Sequence, residues 1–425
     1  MKMHKLVLWS LSLCCCLPLS AQTSKEEALK EVRSLSGLFY AYPAPTKVSE
    51  TPAPAGYKPF YISHYGRHGS RWIDDPEEYK RPLKVLRAAD KDNCLTTFGK
   101  SVKNRFEEMT SDADGRYGQL TFLGVAQHRG IAERMYAKYH EVFEGKGKRI
   151  ESRSTLAQRC ILSMAAFDER LKELNPSLKV TRETGSRFQD YLAYRTPEAK
   201  AAYTDRFSTW YPTFDKFKKE HCHPDRLLSA LFTEKDYCEK NDIDKVNFFY
   251  SMYILYNDAQ DIDVKINFSD LFTADELWDL WQVENVGEYF GMGSQPVYGR
   301  LYAKSQLRLL DNFIKSADEA IRNGYPAATL RFGHDSYITP LSVLMGLKYC
   351  ESYTTDYENL YKVWTDFKIS PMGANLQWIF YRNAAGEILV KILLNEREMA
   401  FNELKSSTAP YYKWSDLRAF LMKKF

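Results

Sequence analysis

Ser63-His64-Tyr65-Gly66-Arg67-His68-Gly69-Ser70-Arg71 is the stretch on which the rest of this 425-residue chain turns. It continues an aromatic-aliphatic run, Phe60-Tyr61-Ile62, that predicts a short buried strand. Arg67 and Arg71 bracket His68, with Gly66 and Gly69 close by. Guanidinium forks bind phosphate oxygens bidentately and keep their charge at any working pH. Glycines let the backbone approach a ligand, and a histidine whose own proton is parked elsewhere can attack phosphorus. Taken alone, Arg-His-Gly also fits a solvated basic turn after a strand. Matching segments further along decide between these readings.

Working outward, the chain upstream divides in two. Lys2 and Lys5 precede an apolar run from Leu6 to Leu19, and Leu19-Ser20-Ala21 precedes Gln22. Residues 1–21 therefore predict a signal peptide cleaved after Ala21 and a periplasmic or secreted protein. The Cys14-Cys15-Cys16 run leaves lipid anchoring as the alternative, although Leu13 is a poor residue before a processed cysteine. Removing the leader takes the formal charge from +4 to +2 through loss of two lysines, which excludes charge-driven nucleic-acid or membrane-surface binding. It also takes three of the eight cysteines, leaving Cys94, Cys160, Cys222, Cys238 and Cys350. An odd number leaves at least one thiol free. Cys222 and Cys238 are the nearest pair in sequence, and no CxxC or metal-finger spacing occurs.

A helix is expected over Glu26–Leu35, then a Pro-rich arm, the motif strand, and helical pieces over 74–112. Thr121 is a natural N-cap for a helix from Phe122 to Phe143. Strands are expected at Lys148–Ser152 and Leu178–Arg182, flanking an amphipathic helix from Leu156 to Leu174. Between about Gly185 and Gly299 strand signals fade and aromatics mix with charges. A helix over Val297–Asn323, a strand at Ala327–Phe332 and a helix at Ser336–Gly346 follow. Asn375–Tyr381 and Glu387–Leu394 form a hairpin about Asn383–Gly386, and Trp414–Lys424 closes the chain as a helix. The alternation predicts a three-layer α/β sandwich with a mostly parallel central sheet plus a mainly helical inserted cap domain. Residues 22–185 and 300–425 would form the core, and 186–299 the cap.

Ligand sites in such sheets fall at the carboxyl ends of strands. Three segments qualify: Arg67–Arg71, Arg153–Cys160 with Arg159, and Gly333-His334-Asp335. They supply arginines, two histidines and one carboxylic acid, the donors that a phosphoryl transition state needs.

Taken in this order, the segments resemble the histidine acid phosphatases, branch 2 of the histidine phosphatase superfamily, whose motif is RHGxRxP with a distal HD or HAE. Gly118-Gln-Leu-Thr121 with Gly124, Ser154-Thr155 with Arg159, and Phe332-Gly-His334-Asp335 with Pro340-Leu341 and Leu344-Met-Gly346 resemble its further segments. Pro371-Met-Gly-Ala-Asn375 and Leu393-Leu-Asn395-Glu396 are closest to multiple inositol polyphosphate phosphatases and phytase-like members. The resemblance implies that His68 attacks phosphorus and forms a phosphohistidine. Arg67, Arg71, Arg159 and His334 would hold the phosphate oxygens, and Asp335 would protonate the leaving alkoxide, with no metal or other cofactor. An aspartic acid beside phosphate holds its proton more readily than a free one, which favours acidic working pH.

The chain departs from the pattern in two places. After Arg71 the chain reads Trp72-Ile73 and lacks the motif's proline, and His-Asp replaces the His-Ala-Glu common in the inositol polyphosphate group. The second departure counts against inositol hexakisphosphate itself. The expected partner is a small phosphorylated substrate, an inositol phosphate or a sugar phosphate, and the sequence leaves the oligomeric state open. Alternatives are a broad-specificity acid phosphatase and a phosphate-binding protein without catalysis. Arg153 either reaches phosphate or forms a salt bridge on the sheet edge. Lys58, Arg187 and Arg195 are candidates for additional phosphates. His64 and His128 suit packing better than catalysis, and His221-Cys222-His223 lacks the further ligands of a metal site.

Overall fold

The computed structural model describes residues 23–45 and 50–425, so the expected leader lies outside the described residues. Its centre is an eight-stranded sheet in the order β3-β2-β4-β1-β5-β6-β7, with β8 pairing β6. The strands are β1 (Lys58–Arg67), β2 (Arg149–Ser154), β3 (Lys179–Glu183), β4 (Ala328–Gly333), β5 (Asn375–Arg382), β6 (Ile388–Leu394), β7 (Arg397–Glu398) and β8 (Tyr411–Lys413). β3, β2, β4 and β1 run parallel, whereas β5 to β8 form an antiparallel wing that joins through β5 beside β1.

Successive side chains of a strand point to opposite faces, and β1 uses both. Ile62 and His64 face helices Phe122–Lys138 and Gln158–Leu174, among Ile131, Met135, Phe167 and Phe332. Tyr61 and Tyr65 face the other layer, where helix Leu307–Asn323 and the closing helix Trp414–Met422 bring Phe313, Leu310 and Trp414. A strand buried on both sides reads as one continuous apolar run, as the motif strand does.

Three expected helices end or break early. The helix near Glu26 stops at Leu29 and becomes a 3-10 turn over Val32–Phe39, opened by Gly37 at a φ of 56°. The helix from Phe122 ends at Lys138, because Tyr139 adopts a non-helical backbone and turns its hydroxyl to Glu50. Val297–Asn323 splits into Tyr298–Lys304 and Leu307–Asn323, where the Ser305 hydroxyl accepts the Thr196 amide.

From Ser186 to Gly291 the regular elements are helices. Helices Pro76–Lys91 and Thr97–Ala113 pack against this region from earlier in the chain, through Lys245–Asp258 and Asp225–Leu231. Its core is aromatic, with Trp210 stacked on Phe290 and Phe249 edge-on to Phe272.

The five described cysteines are all free thiols and buried, so the Cys222–Cys238 pairing is corrected. Cys222 closes helix Tyr211–His221 near Lys218 and Asp279, whereas Cys238 lies beside Glu239 and Lys245. No described helix is long and apolar enough to cross a membrane.

Candidate active site

Parallel pairing of β1 with β4 aligns Arg67 with Gly333. The residues that follow, His68 on one strand and His334-Asp335 on the other, therefore emerge side by side at the carboxyl edge of the sheet. The His68 amide bonds the Gly333 carbonyl at 2.9 Å, and the two imidazole centroids lie 5.5 Å apart. Two glycines permit this approach. A Cβ on Gly69 would sit 2.6 Å from the Gly124 carbonyl oxygen, and one on Gly333 would collide with the Tyr65 hydroxyl, which accepts the His334 amide.

The His68 Nδ1 lies 2.9 Å from its neighbour's carbonyl, Gly69 O. A carbonyl only accepts, so Nδ1 carries the proton and Nε2 keeps its lone pair. Burial, then Arg67, Arg159, His334 and Arg71, push His68 well below the ordinary histidine range. It therefore stays neutral at acidities where a free imidazole is protonated. His334 is pushed down to about 4 by burial and the same three guanidinium groups, against the opposing pull of Asp335. Its Nε2 lies 3.2 Å from the Thr155 hydroxyl and 3.6 Å from the Cys160 sulfur.

Arg67 is fully buried and fixed on three sides. Nη1 donates to the carbonyls of Leu38 at 2.7 Å and Ser370 at 2.6 Å, and Nη2 meets Asp335 Oδ2 at 2.7 Å. Asp335 opens helix Asp335–Met345, with His334 as its N-cap, and its other oxygen takes the Ser336 amide at 2.6 Å. Burial alone would raise the Asp335 carboxyl; Arg67, His334, that amide and Arg71 outweigh it and hold the group below the usual aspartate range.

Arg71 and Arg159 approach from two directions and share Asp74, at 3.8 and 3.3 Å. The Nε atoms of Arg67, Arg71 and Arg159 are buried without a partner. Arg71 also covers the Phe39 ring. Below the motif, Ser70 is locked by a buried network: its amide donates to Gln127 Oε1 at 2.8 Å, and its hydroxyl donates to Asp261 and accepts from Gln127.

His68, Asp335, Arg67, Arg71, Arg159 and His334 thus converge. Two proposed substrate contacts do not. Arg153 spends its guanidinium on Glu151 at 2.9 Å and Glu183 at 3.4 Å and stacks on Phe188, so it is a sheet-edge ion pair. Lys58 is the exposed first residue of the ten-residue β1 strand, about 30 Å of extended chain from Arg67. Arg187 is exposed and paired with Glu183, whereas Arg195 lines the crevice beyond Asp335. His64 and His128 lie buried against Phe167 and Phe332. His221 Nδ1 donates to the Phe217 carbonyl and its Nε2 lies 3.1 Å from Glu358, and among the described residues no three His, Cys, Asp or Glu side chains gather as a metal cluster. Asp74 and Glu288 were not singled out from the sequence, and Ser70 and Thr155 stood in quoted motifs without a role of their own. Asp74 could have been, as an acid three residues past Arg71.

The family model of the histidine phosphatase superfamily (branch 2) matches residues 67–395. The chain belongs to that family. Among solved structures, the multiple inositol polyphosphate phosphatase of Bifidobacterium longum, complexed with inositol hexasulfate, superposes with a TM-score of 0.75 at 20% identity, covering 91% of this chain and 97% of that one. The D. castellii phytase gives 0.66 at 12% identity over 92% and 85% of the two chains. The Hafnia alvei phytase gives 0.53 at 13% identity over 88% and 98%. At these identities the likeness is one of fold. No curated protein matches the sequence.

Proposed function

We propose that this histidine phosphatase family member hydrolyses phosphate monoesters through a phosphohistidine, acting on inositol phosphates or sugar phosphates. The observation that carries the reading is the pairing of the β1 and β4 ends: a neutral His68 with a free Nε2 follows one strand, and Asp335, held by Arg67, follows the other. His68 Nε2 attacks phosphorus as the ester P–O bond breaks, and Asp335 delivers its proton to the departing alkoxide oxygen. Water then attacks the phosphohistidine, Asp335 takes the water proton, and the N–P bond breaks to release inorganic phosphate. Arg67, Arg71, Arg159 and His334 hold the three equatorial oxygens as charge spreads onto them, so positive charge comes from the chain itself. The inositol polyphosphate phosphatase and phytases of the same fold support a small phosphorylated substrate. We also propose that residues 1–21 direct export to the periplasm or beyond.

The test is a phosphate-release screen across about pH 4–7, where a perturbed acid and base can be separated, over inositol phosphates, sugar phosphates and nucleotides. Release from at least one phosphomonoester is expected. Silence on all of them would leave only the phosphate-binding alternative.

A further inference from the structure

The sheet wall of the site handles phosphate, and the opposite wall handles whatever phosphate is attached to. Beyond Ser336, the residue after Asp335, lies a cavity of about 480 Å³ walled by Arg195, Trp210, Glu284 and Glu288. It shares Phe214, Tyr250 and Ile254 with a second cavity of about 580 Å³ that reaches Arg71, so the two form one crevice leading from the catalytic residues.

Charge in this crevice is balanced. Beyond Arg71 its lining includes Arg81, Lys218, Arg195 and Arg206. Arg81 is held by Glu78 at 2.8 Å, and Lys218 by Asp215 at 3.3 Å and Asn247 at 2.8 Å. Arg206 donates to the Tyr203 carbonyl and lies over the Tyr203 and Phe207 rings. Only Arg195 and Arg206 lack a carboxylate partner among the described residues. Against them stand Glu284 and Glu288, one turn apart on helix Ala274–Gly291 and so on one face. Glu284 is 9% exposed. One of its oxygens accepts the Tyr250 hydroxyl, and the other has no partner among the described residues. The Glu288 side chain makes no hydrogen bond or ion pair among the described residues, and it lies close enough to Asp335 and Arg67 to feel both charges.

A fully phosphorylated ring would bring five phosphates besides the one at His68, each carrying roughly −1.5 to −2 charges. A crevice whose uncommitted cations are Arg195 and Arg206, set against Glu284, Glu288 and Asp75, which form no ion pair among the described residues, is a poor match for that. Burial raises both glutamates from the ordinary carboxylate range. A free carboxyl oxygen, ionised or not, accepts from an alcohol O–H, and a protonated carboxyl also donates, so the pair complements an alcohol rather than a phosphate. Aromatic rings at Trp210, Phe214 and Tyr250 supply flat apolar walls of the kind that cover a ring's C–H face.

We propose that Glu288, with Glu284 behind it, forms a hydroxyl-reading subsite, so that the preferred substrate is a polyol or sugar bearing a single phosphate rather than a hexakisphosphate. This rests on the phosphatase reading above. The experiment compares kcat/KM for myo-inositol monophosphate, inositol hexakisphosphate and p-nitrophenyl phosphate, which has no alcohol hydroxyls. The wild-type protein should favour the monophosphate over the hexakisphosphate by about tenfold or more, the worth of one good hydrogen bond. Glu288→Ala should lower kcat/KM on the monophosphate about tenfold more than on p-nitrophenyl phosphate, and Glu288→Gln, which keeps a donor and an acceptor, should recover most of that difference. Glu288→Lys, an independent arm should the alanine variant not fold, should shift the preference about tenfold toward the hexakisphosphate. A wild-type preference for the hexakisphosphate, equal losses on both esters, or an unmoved preference in Glu288→Lys each overturns the subsite. No phosphate release from any of the three esters by the wild-type protein instead overturns the phosphatase reading.

Discussion

The two walls of the crevice are built on opposite terms. On the sheet wall each reacting group sits at a strand end and is bonded to the chain. Arg67 holds two carbonyls, His68 is fixed by Gly69, and Asp335 by Ser336 and Arg67. On the helical wall Glu288 projects from the last turn of helix Ala274–Gly291 with no side-chain hydrogen bond or ion pair among the described residues, and Arg195, on the loop before helix Pro197–Thr204, lies over the Tyr203 and Tyr337 rings. A phosphoryl group has the same shape in every ester, so its wall can be rigid and preorganised. The rest of the substrate varies, and the wall that meets it can change without disturbing the strand-end geometry.

Removing the proposed nucleophile is the severest test of the sheet wall. His68→Ala is expected to lower kcat on the order of 10⁴-fold or more on every ester alike. It should also abolish the labelled phosphoenzyme trapped in alkaline denaturant. Residual turnover near the wild-type rate would remove the covalent route, and with it the division between the walls.

Asp335→Asn sharpens the comparison, because it leaves phosphate binding and removes only the proton. Alkyl esters, whose alkoxides leave badly, should slow by about 10²–10⁴-fold, whereas p-nitrophenyl phosphate should slow by less than about tenfold. Equal slowing would assign Asp335 to binding through Arg67 instead.

A smaller effect concerns the proton itself. In the free protein Asp335 lies below its ordinary range, near 3.9 in a free chain. At about pH 5 it is therefore ionised. Sulfate, a dianion throughout this range, would occupy the guanidinium groups and add negative charge, which raises the acid group and draws in a proton. His334, pushed down to about 4, should rise for the same reason. Calorimetry of sulfate binding in buffers of different ionisation enthalpy should thus show proton uptake at about pH 5. The uptake should fade as pH climbs past the bound-state value, and Asp335→Asn should remove most of one proton. Proton release, or uptake indifferent to the asparagine, would contradict the charge state assigned to the sheet wall.

What could be read in advance follows the same division. Arg67, His68, His334 and Asp335 were legible because they are neighbours in sequence and follow apolar runs that become buried strands, so local pattern and ligand edge coincide. The hairpin at Asn383–Gly386 was legible through turn chemistry, with Gly386 at a φ of 84°. Glu288 was not, because a single acid on a mixed aromatic and charged helix has no spacing that marks which way it faces. The break at Tyr139 escaped for a related reason: helix propensity runs on there, and the interruption comes from a tertiary bond to Glu50. Lys58 was misplaced against a rule already in hand. The carboxyl-end argument that selects His68 excludes a residue at the amino end of the same strand.

The smallest expected effect lies at the edge of the sheet wall. Arg153 sits one strand away from the site, on β2 opposite Arg331 of β4, and its charge is already taken by Glu151 and Glu183. Both ion pairs are partly exposed, so their loss should cost about 1 kcal/mol or less in stability. Arg153→Met should then keep kcat/KM within about twofold of wild type on mono- and polyphosphorylated substrates. If instead it weakened only the polyphosphorylated ones, Arg153 would leave its carboxylates when such a ligand binds. Selectivity would then extend onto the strands, and the two walls would no longer divide phosphate from its carrier.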